Sequence, residues 1–381
     1  MTLSLRPDLA FVFAALRPAA VGAREQAECG ARVRDWTSVL QLAREHLVSW
    51  WVWRALPGTG VPDAIRAALQ GDVRDAALRA LAGARQLDEL LRVLERSGVR
   101  ALAYKGPAMA ADVHGDVAAR CFSDLDVLVC TRDRDRARRA LLAAGYASLH
   151  GYSEREERFY ARWEGVAQLT RGADLPVELH WRCQAPRYGG PQDPEPIIAR
   201  ARTGELSGAS ILVPDPEDLA VLLAVHGVKH AWSSLVWLAD FAAAVTRIGF
   251  SWPRFVARAD AWGVRRAVYC ALLVADELLA LVAPPALLAE ARADARASPL
   301  ARAIAARLRG EAAPDIGREA TPRYDLQWLE GAWARARYLA LAAALPTPQE
   351  RRMVRLPDDW LPLAYPVRAW RLLRHALERH P

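Results

Sequence analysis

Cysteine is scarce in this sequence. The five present (Cys29, Cys121, Cys130, Cys183 and Cys270) are scattered, odd in number and without CxxC spacing. That excludes a disulfide framework and a structural zinc site, and it fits a reducing cytoplasm. No leader segment is expected: the short apolar stretch at 9–16 follows no basic region and precedes no small-residue cleavage site. No apolar run is long and uncharged enough to span a membrane. The most apolar one, 267–288, carries Asp276, Glu277 and a proline pair, and reads as a buried helix. No segment has a disordered composition and no internal repeat is visible. With 381 residues, 52% of them apolar, the expectation is a soluble, cytoplasmic protein of two or three packed units.

Lysine is nearly missing. Of 51 basic residues only Lys105 and Lys229 are lysines; the rest are arginines. A lysine kept against such a bias points to a need for a compact ammonium head, which the planar guanidinium fork does not imitate. The net charge of +7 and pI near 9.4 raise the question of a nucleic-acid partner. The basic residues, however, are spread along helix faces beside Asp and Glu, and no recognition helix stands out, so nucleic acid is not favoured.

Apolar positions recur at helical spacing over 36–56, ending at Pro57-Gly58, and again from Pro62-Asp63 to Gly98, with Gly71 as a candidate break. The first quarter is therefore helical. The character then changes. Residues 99–104 are β-compatible and end at Lys105-Gly106-Pro107, with a short helix expected over 107–113. Residues 122–129 alternate as a strand with Asp124, Asp126 and Leu128 on one face. A basic amphipathic helix over 133–144 stops at Gly145. Further strands are expected at 158–164, 166–171 and 176–181, the last two joined by a turn at 171–174. The Pro/Gly-rich stretch 186–196 reads as a loop, 211–213 as an edge strand, and the chain beyond Pro214 as helical. The fold class is α+β, a small mixed β-sheet core (98–213) flanked by an N-terminal helical region (1–97) and a larger C-terminal one (214–381).

Asp124 and Asp126 lie two apart, so in a strand both carboxylates converge on one point. Such a pair is costly when partly buried unless a cation sits between them. Magnesium, a hard ion that keeps waters and phosphate oxygens in its shell, suits it. A third carboxylate, Glu178, sits among apolar residues in the strand 177–181. Gly106 lets a phosphate approach the backbone, the helix start after it offers N–H groups, and Lys105 supplies charge. Arg120 can reach a phosphate with two prongs. Phosphoryl and nucleotidyl transfer need this set: metals clamping the attacking and leaving oxygens, carboxylates to hold them, and cations for the departing pyrophosphate.

The order of strand, Gly-containing turn, helix, DxD and later strand carboxylate resembles the polymerase-β-like nucleotidyltransferase superfamily. Lys105-Gly106, Arg120, Ser123-Asp124-Leu125-Asp126, Val177-Glu178-Leu179-His180-Trp181 and His226-Gly227-Val228-Lys229-His230, with Asp240 beyond, are similar to an uncharacterised bacterial nucleotidyltransferase family within it. The resemblance implies a metal-dependent transferase with Asp124, Asp126 and Glu178 as metal ligands and catalytic carboxylates. The nucleotide-binding candidates are Lys105, Gly106, Arg120, Ser123 and, if its helix face meets the cleft, Lys229; the expected ion is Mg²⁺ (with Mn²⁺ as the alternative) and the expected substrate an NTP such as ATP. Pro107 departs from the family turn, where Gly or Ser is usual, and removes one N–H.

His226, Lys229 and His230 share one helix face. They lack the adjacent Glu of an HExxH zinc site, and read either as internal hydrogen-bonding groups or as a face turned to the cleft. His180, His226, His230 and Asp240 are the acceptor-side candidates, Asp240 the weakest of them as a base because its apolar neighbours suggest a buried, paired acid. The expected reaction moves an NMP to a hydroxyl or similar group of a small molecule, peptide or protein. Transfer to RNA, and a catalytically silent nucleotide-binding relative, are the alternatives.

Overall fold

The computed structural model describes residues 5–17, 19–58, 60–190, 192–311 and 322–378 of the chain. Five helices come first: α1 (Pro7–Leu16), α2 (Ala19–Arg32), α3 (Trp36–Glu45), α4 (Ser49–Ala55) and α5 (Asp63–Arg96). The single helical run expected over 36–56 is in fact two helices. Leu47 takes a left-handed φ of 58°, and the His46 carbonyl accepts from Ser234 Oγ (2.9 Å) and from the Val236 N–H (3.3 Å). A distant segment thus satisfies a carbonyl at the end of α3, which lets the helix stop there. Gly71 breaks nothing, for α5 runs on for 34 residues. One helical glycine costs about 1 kcal/mol. Burying Leu87, Leu90 and Leu94 along one face of α5 outweighs it, at about 1.5–3 kcal/mol each.

Strands β1 (Ala101–Ala103), β2 (Leu125–Val129), β3 (Ala147–Ser148), β4 (Val166–Thr170) and β5 (Val177–His180) form one mixed sheet in the order β1-β2-β5-β4-β3. β2 and β5 run parallel and the other neighbours antiparallel. Between β1 and β2 the chain forms α6 (Gly106–Met109) and a wider π turn, Ala110–His114. The helix α7 (Arg134–Ala143) leads to β3, and α8 (Glu154–Glu164) to β4. Alternation along β2 decides which way its side chains go. Leu125, Val127 and Val129 pack with Leu87, Leu90 and Leu94 of α5 and Leu141 of α7. Leu128 faces the other way, toward Leu102, Ile197, Ile198 and Leu222, and Asp126 shares its face.

Three expectations about strands need correction. The strand expected over 122–129 pairs only from Leu125, so Asp124 stands just ahead of it. Residues 158–164 are helix, not strand. Ser153 and Glu156 close a reciprocal capping box at the start of α8, and Gly165, at φ +78°, ends it. That cap outweighs the aromatic run at 159–160 that reads as β. The run at 211–213 belongs to β7 (Ala209–Val213), which pairs with β6 (Arg202–Leu206) in a separate hairpin rather than on the edge of the five-stranded sheet. The stretch 186–196 also holds a 3₁₀ turn, Pro186–Tyr188, and the start of α9 (Glu195–Ala199).

Helices α10 (Pro216–Lys229), α11 (Leu235–Val245), α12 (Trp252–Ala261), α13 (Arg265–Leu279), α14 (Pro285–Ala293), α15 (Ala297–Leu308), α16 (Pro322–Trp328), α17 (Gly331–Ala344), α18 (Pro348–Met353) and α19 (Ala364–Glu378) complete the described chain. Phe11, Trp36, Val52 and Leu69 join Trp232, Phe241, Phe255, Leu272 and Ile304 in one buried cluster. The helices before and after the sheet therefore share a core, and the architecture is α+β. Among the described residues no helix is long and apolar enough to cross a membrane.

Candidate active site

Parallel pairing of β2 with β5 sets Asp126 beside Glu178 and Leu128 beside His180. His180 Nε2 lies 3.0 Å from Asp126 Oδ1 and 3.1 Å from Glu178 Oε2. Lys105 Nζ, at the end of β1, donates to the same Asp126 oxygen at 3.0 Å. Gln168 of β4, in register with Glu178, donates to Glu178 Oε1 at 2.6 Å. Asp126, Glu178 and His180 thus present one ligand atom each, all within 4.8 Å of one another.

The electrostatics divide the acids. Burial works against the charge on Asp126, but the Lys105 ammonium and the His180 hydrogen bond hold its pKa below the usual range. Burial also opposes Glu178, and its bond to His180 again prevails and lowers it. Burial disfavours the His180 cation, yet its bonds to Asp126 and Glu178 raise its pKa. Asp124 is different. Burial first, then the charges of Asp126 and Glu178, push it up to about 6. Asp126 and Glu178 have Lys105, His180 and Gln168 as partners, whereas Asp124 is short of positive charge, a condition that a bound cation relieves.

Arg120 enters from the segment before β2. Its Nε donates to Asp240 Oδ2 at 2.8 Å, and His114 Nε2 lies 2.8 Å from Asp240 Oδ1. Asp240 is completely buried. Burial opposes its charge, but Arg120 and His114 keep its pKa low. The His114 ring stands edge-on to Trp51 at 5.1 Å. Asp240 on α11 therefore anchors Arg120.

Asp124, Asp126, Glu178 and Arg120 border a cavity of about 680 Å³. Lys105, Arg120, Ser123, Asp124, Asp126, Glu178, His180, His226, Lys229 and His230 all line it; Gly106 and Asp240 do not. Gly106 serves the turn instead, with φ +60°, a conformation that favours glycine. On the same cavity, the end of α10 brings His226 and His230 together, ring centroids 4.7 Å apart, both against Trp237. Burial, then Lys105, lowers the His226 pKa well below normal. Burial and Lys229 lower that of His230 to about 3. Burial, then Lys105 and Arg187, bring Lys229 down to about 8. After α10 the consecutive residues Ala231 and Trp232 both take φ of 51°, a strained turn for residues with side chains. The fully buried Trp232 ring fixes it against Gly227, where a Cβ would stand 2.4 Å from Trp232.

The sequence alone does not single out His114, Glu164, Gln168, Arg182, Arg187 or Tyr188. The capping box at Ser153 would have turned 154–164 into a helix, and with it Glu164 into a residue at a helix end. Arg182, Arg187 and Tyr188 carry no such signal, because two of them are arginines among many and the third lies in a loop.

A family model described as an uncharacterised nucleotidyltransferase matches residues 32–280. None of the curated proteins matches the chain. Five chains of solved structure match. One is the solution structure of the antibiotic-resistance factor ANT(2'')-Ia, 14% identical, with a TM-score of 0.32, covering 50% of this chain and 94% of that one.

Proposed function

The chain belongs to the uncharacterised nucleotidyltransferase family and is a nucleotidyltransferase, and we propose that it moves an NMP from an NTP to a hydroxyl or similar group of a small molecule, peptide or protein in a divalent-ion-dependent reaction. The observation that carries this reading is the cluster of Asp126, Glu178 and His180 within 4.8 Å, with Asp124 close enough to feel both acids and short of positive charge. That donor set fits a hard divalent ion, Mg²⁺ with Mn²⁺ as the alternative. Asp126 and Glu178 would hold it, with His180 bridging them and Asp124 taking a second position. When bound, the ion supplies charge neutralisation and Lewis acidity at the phosphate oxygens.

The side chains of the site divide the remaining work. Lys105 already neutralises Asp126 from the side of the Gly106 turn; once another cation does so, its ammonium is free for phosphate. Arg120, fixed through Nε by Asp240, lines the cavity and would offer its other N–H groups for a two-pronged contact with phosphate. Ser123 lines the cavity beside Asp124 and offers a hydroxyl. His226 and His230, kept neutral by burial and nearby cations, can accept a hydrogen bond from an acceptor O–H. The acceptor oxygen then bonds to the α-phosphorus, the bond to the pyrophosphate oxygen breaks, and the acceptor proton leaves for a base or water.

The test uses purified protein, NTPs labelled at the α-phosphate, and panels of small molecules, peptides and RNA, with and without a chelator. Label should enter an acceptor only when divalent ions are present; entry into RNA alone would move the acceptor to that class. Nucleotide binding that is indifferent both to Mg²⁺ and to Asp124→Ala plus Asp126→Ala would sink the reading.

A further inference from the structure

Five full cations line the cavity, and three of them are paired. Lys105 meets Asp126 at 3.0 Å, Arg120 meets Asp240 at 2.8 Å, and Arg187 meets Glu164 at 2.7 Å. The other two, Arg182 and Lys229, line the same cavity without an ion pair among the described residues. Among the described residues the buried Nε of Arg182 has no hydrogen-bond partner, and Lys229 Nζ lies 5.8 Å from the Tyr188 ring, with Glu164 and Glu178 acting on it less strongly than the like charges of Lys105 and Arg187.

Both side chains are built into place. Gly165, at φ +78°, lies so close to Arg182 that a Cβ there would stand 2.6 Å from Arg182 Cβ, 2.9 Å from Cδ and 3.0 Å from Cγ. The absence of a side chain at 165 therefore lets the Arg182 stem lie flat against the end of α8. Tyr188, beneath Lys229, stacks on Trp328 at 5.8 Å and leans on Tyr338 at 5.8 Å. Tyr338 in turn bonds Asp325 at 2.5 Å. A cation without a partner in a partly buried wall is unfavourable, and an arriving anion removes that cost. At Lys229, burial and the like charges of Lys105 and Arg187 act in that direction and bring its pKa to about 8.

We propose that Arg182 and Lys229 form an anion subsite for a phosphate or carboxylate group, carried either by the pyrophosphate end of the NTP or by the acceptor. It follows that the group resting on this wall is not a cation, so a polycationic acceptor would have to bind elsewhere in the cavity. The proposal rests on the nucleotidyl-transfer reading for its two named sources, but the subsite is testable without it.

The test is calorimetric titration of wild type, Arg182→Gln, Lys229→Gln and Arg182→Lys. The first probe is inorganic pyrophosphate with Mg²⁺. The second is inorganic phosphate added to protein saturated with a non-hydrolysable NTP and Mg²⁺. If the anion is the pyrophosphate end, pyrophosphate affinity falls about tenfold or more in either Gln variant, the loss expected of one charge-assisted contact, and Arg182→Lys recovers part of it. If the anion belongs to the acceptor, pyrophosphate affinity is unchanged and the Gln variants lose phosphate binding to the NTP-loaded protein. Thermal unfolding serves as the control. Since neither cation has an acidic partner, both Gln variants should melt at or above the wild-type temperature. Unchanged affinity for both probes, or a lowered melting temperature with unchanged affinity, overturns the subsite. Failure of wild type to bind Mg²⁺–NTP while pyrophosphate binding still depends on Arg182 and Lys229 would instead count against the nucleotidyl-transfer reading alone.

Discussion

At the scale of single residues, most charges of the site are held by another, and Asp240 shows how. Asp240 touches no part of the cavity, yet it fixes Arg120 from behind while His114 takes its second oxygen. Removing Asp240 leaves a buried guanidinium without its counter-charge, a loss of about 3–5 kcal/mol. Asp240→Ala should therefore lower the melting temperature sharply and raise KM for NTP. Asp240→Asn, which keeps a hydrogen-bond acceptor, should do less of both, as thermal unfolding and initial rates would record. The sequence made Asp124, Asp126 and Glu178 legible because acids among apolar residues are costly without a purpose. It made Lys105 and Lys229 legible because lysine is so rare here. It could not show that His180 bridges Asp126 and Glu178, since that depends on which strands pair and in what register. Arg182 was beyond reach for a different reason: its significance is the lack of a partner, which only packing reveals.

At the scale of elements, α10 carries the far wall of the cavity and both of its ends are specified. At the C-terminal end Gly227 gives the Trp232 ring its place. Gly227→Ala would put a methyl into that ring and should cost about 1–3 kcal/mol by overpacking, with activity falling alongside because His226, Lys229 and His230 share the helix end. A melting curve and a transfer assay on the same preparation check both effects. At the N-terminal end Asp215 caps the Glu217 N–H at 3.2 Å and receives Arg258 at 2.5 Å. Burial opposes its charge, but hydrogen bonding with the Glu217 side chain, then Arg258 and the Glu217 N–H, lowers its pKa to about 2. A carboxylate depressed on folding stabilises the protein above its ordinary pKa near about 3.9 and loses that contribution as pH falls through the folded value. Asp215→Asn should thus melt about 1 °C below wild type at pH 6, the shift for a loss of about 1 kcal/mol in a chain of this length. The gap should close between pH 4 and pH 2. Helices were legible wherever apolar spacing ran long. The strand expected at 158–164 failed because an end cap, not periodicity, decides that segment, and the split after Glu45 because the partner of the His46 carbonyl is almost 190 residues away in sequence.

At the scale of the whole molecule, the α+β class with helical flanks was legible from the change of pattern at 99 and again at 214. What was not legible is that the two flanks close on each other in one core, because long-range packing between helices leaves no mark in local periodicity. Phe11, fully buried and edge-on to Trp36 at 5.2 Å, sits in that shared core. Phe11→Ala should cost about 3–5 kcal/mol and move a single transition, the same by helical circular dichroism and by tryptophan fluorescence. Separate transitions would mean that the flanks unfold independently. The shared core bears on chemistry as well: Lys105 and Asp126 come from the sheet, Arg120 is tied to α11, and Lys229 to α10, so the cavity exists only when sheet and helices are docked. On the proposed function, these parts together transfer an NMP at Asp126 and Glu178. The most direct measurement follows NTP labelled at the α-phosphate beside NTP labelled at the γ-phosphate, in wild type and Asp126→Asn, while pyrophosphate is counted. We predict one pyrophosphate released per α-label transferred, no γ-label transferred, and a loss of at least about 100-fold in the variant, as when one group stabilising transition-state charge is removed. Transfer of the γ-label, or α-label transfer that survives Asp126→Asn, would contradict it.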